Sequence, residues 1–166
     1  MHITYTIATT PLGNMLVART ERGICRLAIG AEHDLATQLQ AEFSAADISR
    51  DDAQLGSAVE AILAYLNGSQ PHLDLPLDLQ VTAFQRRVLE ALQTIPYGET
   101  RSYGDIAQTI DKPKAARAVG NACKSNPVPL VVPCHRVVRS DGSIEGYVYG
   151  TSVKEQLLKM EQAPTK

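Results

Sequence analysis

Cys134 is followed directly by His135 and Arg136. Cysteine attacks carbon as a thiolate, so a working thiol needs a base to take its proton or positive charge to hold its anion. Imidazole and guanidinium can supply both. On an extended chain, however, neighbouring side chains face opposite sides. A Cys–His contact here therefore requires a turn, and otherwise a water must relay the proton. The same residues also suit a buried structural cysteine beside an incidental histidine. Cys25, on the apolar face of a strand, and Cys123, at a helix end among small residues, read as core fillers. His2, His33 and His72 stand apart, and three scattered cysteines make neither a disulfide framework nor a four-thiolate zinc site. No metal and no cofactor is expected.

The elements around Cys134 must position it. Asn126-Pro127-Val128-Pro129 forces an extended approach, Leu130 to Val132 reads as a short buried run, and the cysteine emerges after Pro133. Upstream, Phe84, Val88, Leu89 and Leu92 mark a helix that stops before Pro96-Tyr97-Gly98. Ser102 can cap a short helix with the stripe Tyr103, Ile106, Ala107 and Ile110, which periodicity alone places in the core. Asp111-Lys112-Pro113 breaks it, and a second helix runs from near Lys114 to about Cys123. Two short helices across a tight break have the sequence form of a helix-turn-helix, though ordinary helical hairpins look alike. Ala115, Ala118, Val119 and Ala122 would be buried in the second helix, opposite Lys114, Arg117, Asn121 and Lys124. Ala116 and Gly120 keep that polar side low enough for a phosphate backbone to approach, although a solvated face reads the same way. Downstream come the Asp141-Gly142 turn, the loop Gly146-Tyr147-Val148-Tyr149-Gly150, and Ser152-Val153-Lys154-Glu155 as a capping box for the last helix.

The first eighty residues read differently. Ile3, Tyr5 and Ile7 alternate with polar residues, Met15 to Ala18 follow a Pro11-to-Asn14 turn, and Cys25, Leu27 and Ile29 share one face. This predicts a short antiparallel meander. Two helices follow, marked by Leu35, Leu39 and Phe43, and then by Leu55, Val59, Ile62, Leu63 and Leu66 before Asn67-Gly68. Ser69 to Gln80 reads as an extended connector, which sets the division at 1–80 and 81–166. Charge divides there too. Four arginines against ten acids give residues 1–80 a formal charge of −6, and twelve Lys/Arg against eight acids give the rest +4. The basic half suits an anionic partner such as nucleic acid, or reflects solvated charge alone. With 166 residues, 44% of them hydrophobic, the chain can build a packed core. No apolar run approaches the roughly 20 residues that span a bilayer, and no signal-peptide pattern opens the chain. A reducing cytoplasm is the expected location, with no membrane partner.

Pro133-Cys134-His135-Arg136-Val137-Val138 resembles the active-site signature of the O6-alkylguanine-DNA alkyltransferases (methylated-DNA–protein-cysteine methyltransferases). The resemblance takes in Ile95 to Thr100, Ser102-Tyr103, Lys112 to Gly120, Asn126 to Pro129, Gly146-Tyr147, and Lys154-Glu155 through Leu157-Leu158 to Glu161. It spans about residues 82–162 with the spacing between blocks kept, and is similar to both stand-alone members and the alkyltransferase domain of the adaptive-response protein. It implies a ribonuclease H-like N-terminal domain with a short antiparallel sheet, and a mainly helical, winged-helix-like C-terminal domain with a helix-turn-helix.

The resemblance further implies an irreversible, single-turnover transfer of a methyl or larger alkyl group from O6-alkylguanine, and also from O4-methylthymine, to Cys134. His135 would accept the thiol proton through water and Glu161 would polarise the imidazole. Tyr103 would assist the departing guanine, and Asn126 would fix the loop before the cysteine. A carboxylate such as Glu161 in the last turn of a helix is disfavoured unless something pairs it, although frayed acids there are common. Tyr147, with the chain near Val137 and Val148, would hold the base. Because the target atom lies inside the stack, the base must be flipped out. Arg117 would fill the gap from the minor groove, with Lys112, Lys114, Lys124 and Ser140 on the backbone. The protein would act as a monomer on lesion-bearing duplex DNA. Many members carry small residues after the loop tyrosine, whereas Val148 and Tyr149 are bulky, which predicts a preference for methyl over benzyl-sized groups. The rivals are a lesion-binding relative lacking transfer, a DNA-binding regulator and a Cys–His hydrolase.

Overall fold

The computed structural model describes residues 1–144 and 146–162. It divides into two compact units, Met1–Gln80 and the residues from Val81 onward.

In the first unit, β1 (His2–Thr10), β2 (Gly13–Arg19) and β3 (Ile24–Ile29) form the expected meander, with Thr4 opposite Arg19 and Met15 opposite Ile29. Gly13 takes φ +112° where the first two strands turn, a conformation open to glycine. Helix α1 (Glu32–Glu42) follows, then β4 (Asp47–Arg50) and α2 (Gly56–Leu66). Strand β4 departs from the sequence expectation. It runs parallel to β1, pairing Ile3 with Ile48, so the sheet is mixed with order β3-β2-β1-β4 rather than antiparallel. Its single apolar residue, Ile48, gives no alternating pattern to read.

One sheet face packs Ile3, Leu16, Ala18, Cys25 and Ala28 against Leu35 and Leu39 of α1. Each such leucine contributes about 1.5–3 kcal/mol by leaving water. Polar positions on β1 are buried as well, because Thr4 and Thr6 donate to Gln54 (2.6 Å) and Asp52 (2.7 Å). The connector is stitched to β3: Ile24 donates to the Pro76 carbonyl at 2.8 Å and Asp78 donates back to Ile24 at 2.9 Å.

In the second unit, α3 (Ala83–Leu92) opens on a capping box between Thr82 and Gln85, and α4 (Tyr103–Thr109) on one between Ser102 and Asp105. Each cap of this kind contributes about 1 kcal/mol. Arg87 of α3 donates to the carbonyl of Ile110, at the end of α4. The backbone then turns at Asp111, with φ 60°, into α5 (Ala116–Lys124), and α3, α4 and α5 pack on one another.

Two expectations for α5 need correction. Its first turn starts at Ala116, so Lys114 precedes the helix, and Ala118 is exposed. The buried stripe is Val119, Ala122 and Cys123. The last helix, α6 (Thr151–Gln162), is corrected too. Lys154 N–H reaches the Gly150 carbonyl at 3.2 Å, so Ser152 lies inside the helix and heads no capping box. Between α5 and α6, a 3-10 turn covers Cys134–Arg136 and leads into β6 (Val137–Val138), which pairs in parallel with β5 (Arg101–Ser102).

Candidate active site

The turn that a Cys–His pair requires is present. Pro133 and the bond from Cys134 N–H to the Val132 carbonyl (2.8 Å) start it, and Arg136 N–H closes on Pro133 at 3.0 Å. Cys134, His135 and Arg136 are all buried, at 3%, 0% and 8% exposure.

Asn126 braces the preceding loop. Its Nδ2 donates to the Val132 carbonyl at 2.9 Å, its Oδ1 accepts from Val128 N–H at 3.0 Å, and its side chain also hydrogen-bonds the Cys134 sulfur. The loop holds Leu130 at φ 76°, a left-handed conformation costing about 1–3 kcal/mol for a residue with a side chain. That strain persists because Leu130, Val131 and Val132 are buried and the Asn126 bonds leave little freedom.

On the other side of the turn, His135 Nε2 lies 2.8 Å from Glu161 Oε2. An ionised carboxylate only accepts, so Nε2 carries the proton and Nδ1 is the basic nitrogen. Arg136 grips the same carboxylate with Nε to Oε1 and Nη2 to Oε2, both at 2.9 Å, and its Nη1 donates to the Ile95 carbonyl at 2.8 Å. The guanidinium also lies 5.6 Å from the centre of the Tyr97 ring. Glu161, 4% exposed in the last turn of α6, is thus fully paired, which answers the penalty of a carboxylate at that helix end. Burial holds the imidazole below the ordinary histidine range, Glu161 pulls it up, and Arg136 and Lys154 push it down. His135 is neutral at physiological pH.

The thiol itself is not the anion that attack on carbon requires. Burial pushes Cys134 up to about 11, opposed by the hydrogen bond from Asn126 and then by the charge of Lys154. In this structure Cys134 is a closed, protonated thiol. The groups acting on it are also not its sequence neighbours, since Arg136 is committed to Glu161 and the facing cation is Lys154 of α6. Cys25 is likewise raised to about 11 by burial and Cys123 is pushed up further, in keeping with core fillers.

Tyr103 is half-buried at the start of α4, against Gly120 of α5, where an added Cβ would sit 3.8 Å from its ring. Burial and the two thiols raise its phenol, keeping it a proton donor. Tyr147 is buried, its hydroxyl has no hydrogen-bond partner among the described residues, and Tyr149 meets its ring edge-on at 6.1 Å. Val137 is buried in β6 and Val148 is 44% exposed. Arg117, Lys124, Lys112, Lys114 and Ser140 are all exposed, the first two on α5 itself. No group of three or more potential metal ligands occurs among the described residues, and no helix there is long and apolar enough to cross a membrane.

Sequence reasoning missed Lys154 and the fork of Arg136. The available signal was the phase of α6: Lys154, Leu157 and Glu161 lie at spacings of three and four, and a leucine marks that face as buried.

A buried cysteine in a tight turn beside a carboxylate-paired histidine is carried by the helical second unit, and a mixed-sheet unit precedes it. Residues 3–79 match the ribonuclease-like domain of 6-O-methylguanine DNA methyltransferase, and residues 83–163 match its DNA-binding domain. The chain belongs to the 6-O-methylguanine DNA methyltransferase family. It is 47% identical over 160 residues to the bifunctional transcriptional activator/DNA repair enzyme Ada of Escherichia coli, covering 96% of this chain and 45% of that protein. It thus spans about half the length of that relative. Identity is 40% over 158 residues to the methylated-DNA–protein-cysteine methyltransferase of Methanosarcina barkeri, covering 95% and 96% of the two chains. Among solved structures, Mycobacterium tuberculosis OGT in complex with DNA superposes with a TM-score of 0.80 at 36% identity, covering 99% of this chain and 96% of that one.

Proposed function

We propose that the chain repairs DNA by direct reversal, moving the methyl group of O6-methylguanine, and by the same chemistry of O4-methylthymine, onto Cys134 in one irreversible turn. The observation that carries this reading is the buried Cys134–Arg136 turn, with its imidazole held 2.8 Å from Glu161. The thiol proton passes through a water to His135 Nδ1, and Glu161 steadies the imidazolium. The S–C bond forms as the C–O6 bond breaks, and the bonding pair leaves with guanine, whose developing charge takes a proton from the Tyr103 phenol. A thioether offers no easy leaving group, so the protein is consumed.

Helices α4 and α5 then serve as the helix-turn-helix, with α5 in the minor groove and Arg117 in place of the extruded base. Lys112, Lys114, Lys124 and Ser140 contact the backbone, and Tyr147 with the chain at Val137 and Val148 receives the base. The buried sulfur fits this scheme if the flipped base displaces solvent and completes the pocket, because the thiol is then shielded until substrate arrives.

Incubating the protein with duplex DNA containing O6-methylguanine should add the mass of one methyl in place of one hydrogen to the Cys134 peptide, with one lesion lost per protein. The Cys134→Ser variant should leave the DNA unchanged. Intact lesions after stoichiometric wild-type protein would reject the reading, and more than one lesion removed per molecule would favour a hydrolytic mechanism.

A further inference from the structure

The first unit carries a cavity of about 390 Å³ built wholly from its own residues. A volume of that size suits a small molecule better than a polymer. Its walls are the start of β1, the end of β2 with the turn that follows, Gln54 ahead of α2, and the connector at Asp78 and Gln80. These walls are held by bonds of their own. Thr20 N–H donates to the Gly23 carbonyl at 2.9 Å, Arg22 N–H to Thr20 Oγ1 at 3.1 Å, and the Thr20 hydroxyl to Asp78 Oδ2 at 2.6 Å. Gln54 accepts from the Thr4 hydroxyl at Oε1, and its N–H donates to Asp51 Oδ1 at 3.1 Å. What these bonds leave over is a set of uncommitted groups. Arg19 is anchored through Nε to the Thr20 carbonyl at 3.1 Å, so its two Nη groups have no acceptor among the described residues. The Arg22 guanidinium and the Gln54 Nε2 have none either. Two carboxylates line the same cavity without pairing to the arginines: Asp78, which accepts only from Thr20 and from Gln80 Nε2 at 3.2 Å, and Glu21. Guanidinium forks match phosphate oxygens, and carboxylates accept from sugar hydroxyls. A bare anion would satisfy the first pair and face the second across the cavity, whereas a hydroxylated phosphate ester satisfies both.

We infer that this cavity binds a small sugar phosphate, with the phosphate oxygens on Arg19 and Arg22, the sugar hydroxyls on Asp78 and Glu21, and Gln54 Nε2 donating to a sugar oxygen. No bond of the ligand breaks there. Binding at this site does not depend on methyl transfer at Cys134.

The test titrates the full chain, labelled with 15N, with ribose 5-phosphate, and separately with inorganic phosphate and with ribose, at constant ionic strength. Ribose 5-phosphate should move the backbone amides of Thr20, Arg22, Gln54 and Asp78 saturably, with a Kd of about 1 mM or tighter. Inorganic phosphate and ribose each offer part of the contacts and should bind about tenfold more weakly or worse. The double variant Arg19→Gln with Arg22→Gln should weaken the ester by about tenfold or more. Absence of saturation up to about 20 mM would overturn the inference. So would inorganic phosphate binding as tightly as the ester, an unchanged Kd in the double variant, or shifts centred on the basic face of α5. If the double variant loses cooperative unfolding, wild type decides: nuclear Overhauser contacts should join the ribose protons to the Thr4 and Thr20 methyls, and their absence overturns the inference. Undamaged duplex is added last. Displacement of the bound ester by duplex would make the cavity part of a DNA surface and overturn the small-molecule assignment, while retention of the ester supports it.

Discussion

Glu161 serves two partners at once, and the consequences of removing its charge differ for each. In Glu161→Gln, Arg136 keeps its bond to Ile95 but loses the carboxylate that neutralises it, and the amide's single oxygen cannot accept from both His135 and Arg136 as the two carboxylate oxygens do. Breaking a buried pair by deleting one partner costs about 3–5 kcal/mol. Urea denaturation should show a loss of that order, together with slower methyl transfer by the fraction that remains folded. Raised thiols make a second prediction at this scale. Cys25 and Cys134 ionise near 9 when unfolded and near 11 when folded. Between those values the unfolded chain sheds protons that the folded one keeps, so stability is full below pH 9 and falls as pH rises toward 11. Denaturation midpoints at pH 8 and pH 10 check the sign, and S-methylation of Cys134 should shrink the difference. A third concerns Tyr149, whose edge contact with Tyr147 crowds the glycine-bounded loop. Wild type should transfer from O6-methylguanine faster than from O6-benzylguanine, and Tyr149→Ala should narrow that gap. Equal wild-type rates would count against it.

Two glycines separate close approach from mere convenience at the scale of elements. A Cβ on Gly23 would lie 2.5 Å from the Pro76 carbonyl oxygen, where the connector is hydrogen-bonded to β3 and backbone cannot yield cheaply. Gly23→Ala should therefore destabilise the first unit by about 1–3 kcal/mol. A Cβ on Gly120 would meet only the Tyr103 ring at 3.8 Å, an ordinary contact. Gly120→Ala should leave stability unchanged or raise it by up to about 1 kcal/mol, since alanine favours a helix interior. Thermal denaturation of the two variants separates these outcomes. The elements themselves were largely legible. Ser102 carries a capping signal that the structure bears out, and the apolar spacing of α3 is plain. Strand β4 was not, because Asp47-Ile48-Ser49-Arg50 is short, polar and paired at a sheet edge by partners far away in the chain.

The whole molecule carries its positive charge in the second half, where Arg117 and Lys124 stand on an exposed face of α5. Affinity for duplex DNA should fall with rising salt as displaced counterions dictate, and Arg117→Ala should lower methyl transfer from a duplex by about tenfold or more while transfer from the free base O6-methylguanine stays at the wild-type rate. Equal losses on both substrates would place Arg117 in the chemistry instead of in base extrusion.

Local sequence by itself determined the cap at Ser102, the β1-β2-β3 meander and the placing of His135 next to Cys134 along the chain, because each depends on residues a few positions apart. It did not determine which groups surround the sulfur. Lys154 and Glu161 look like solvated helix charges until α6 is laid against the Cys134–Arg136 turn. Only that docking buries them, since the cost of a hidden charge and the partner that offsets it come from different parts of the chain.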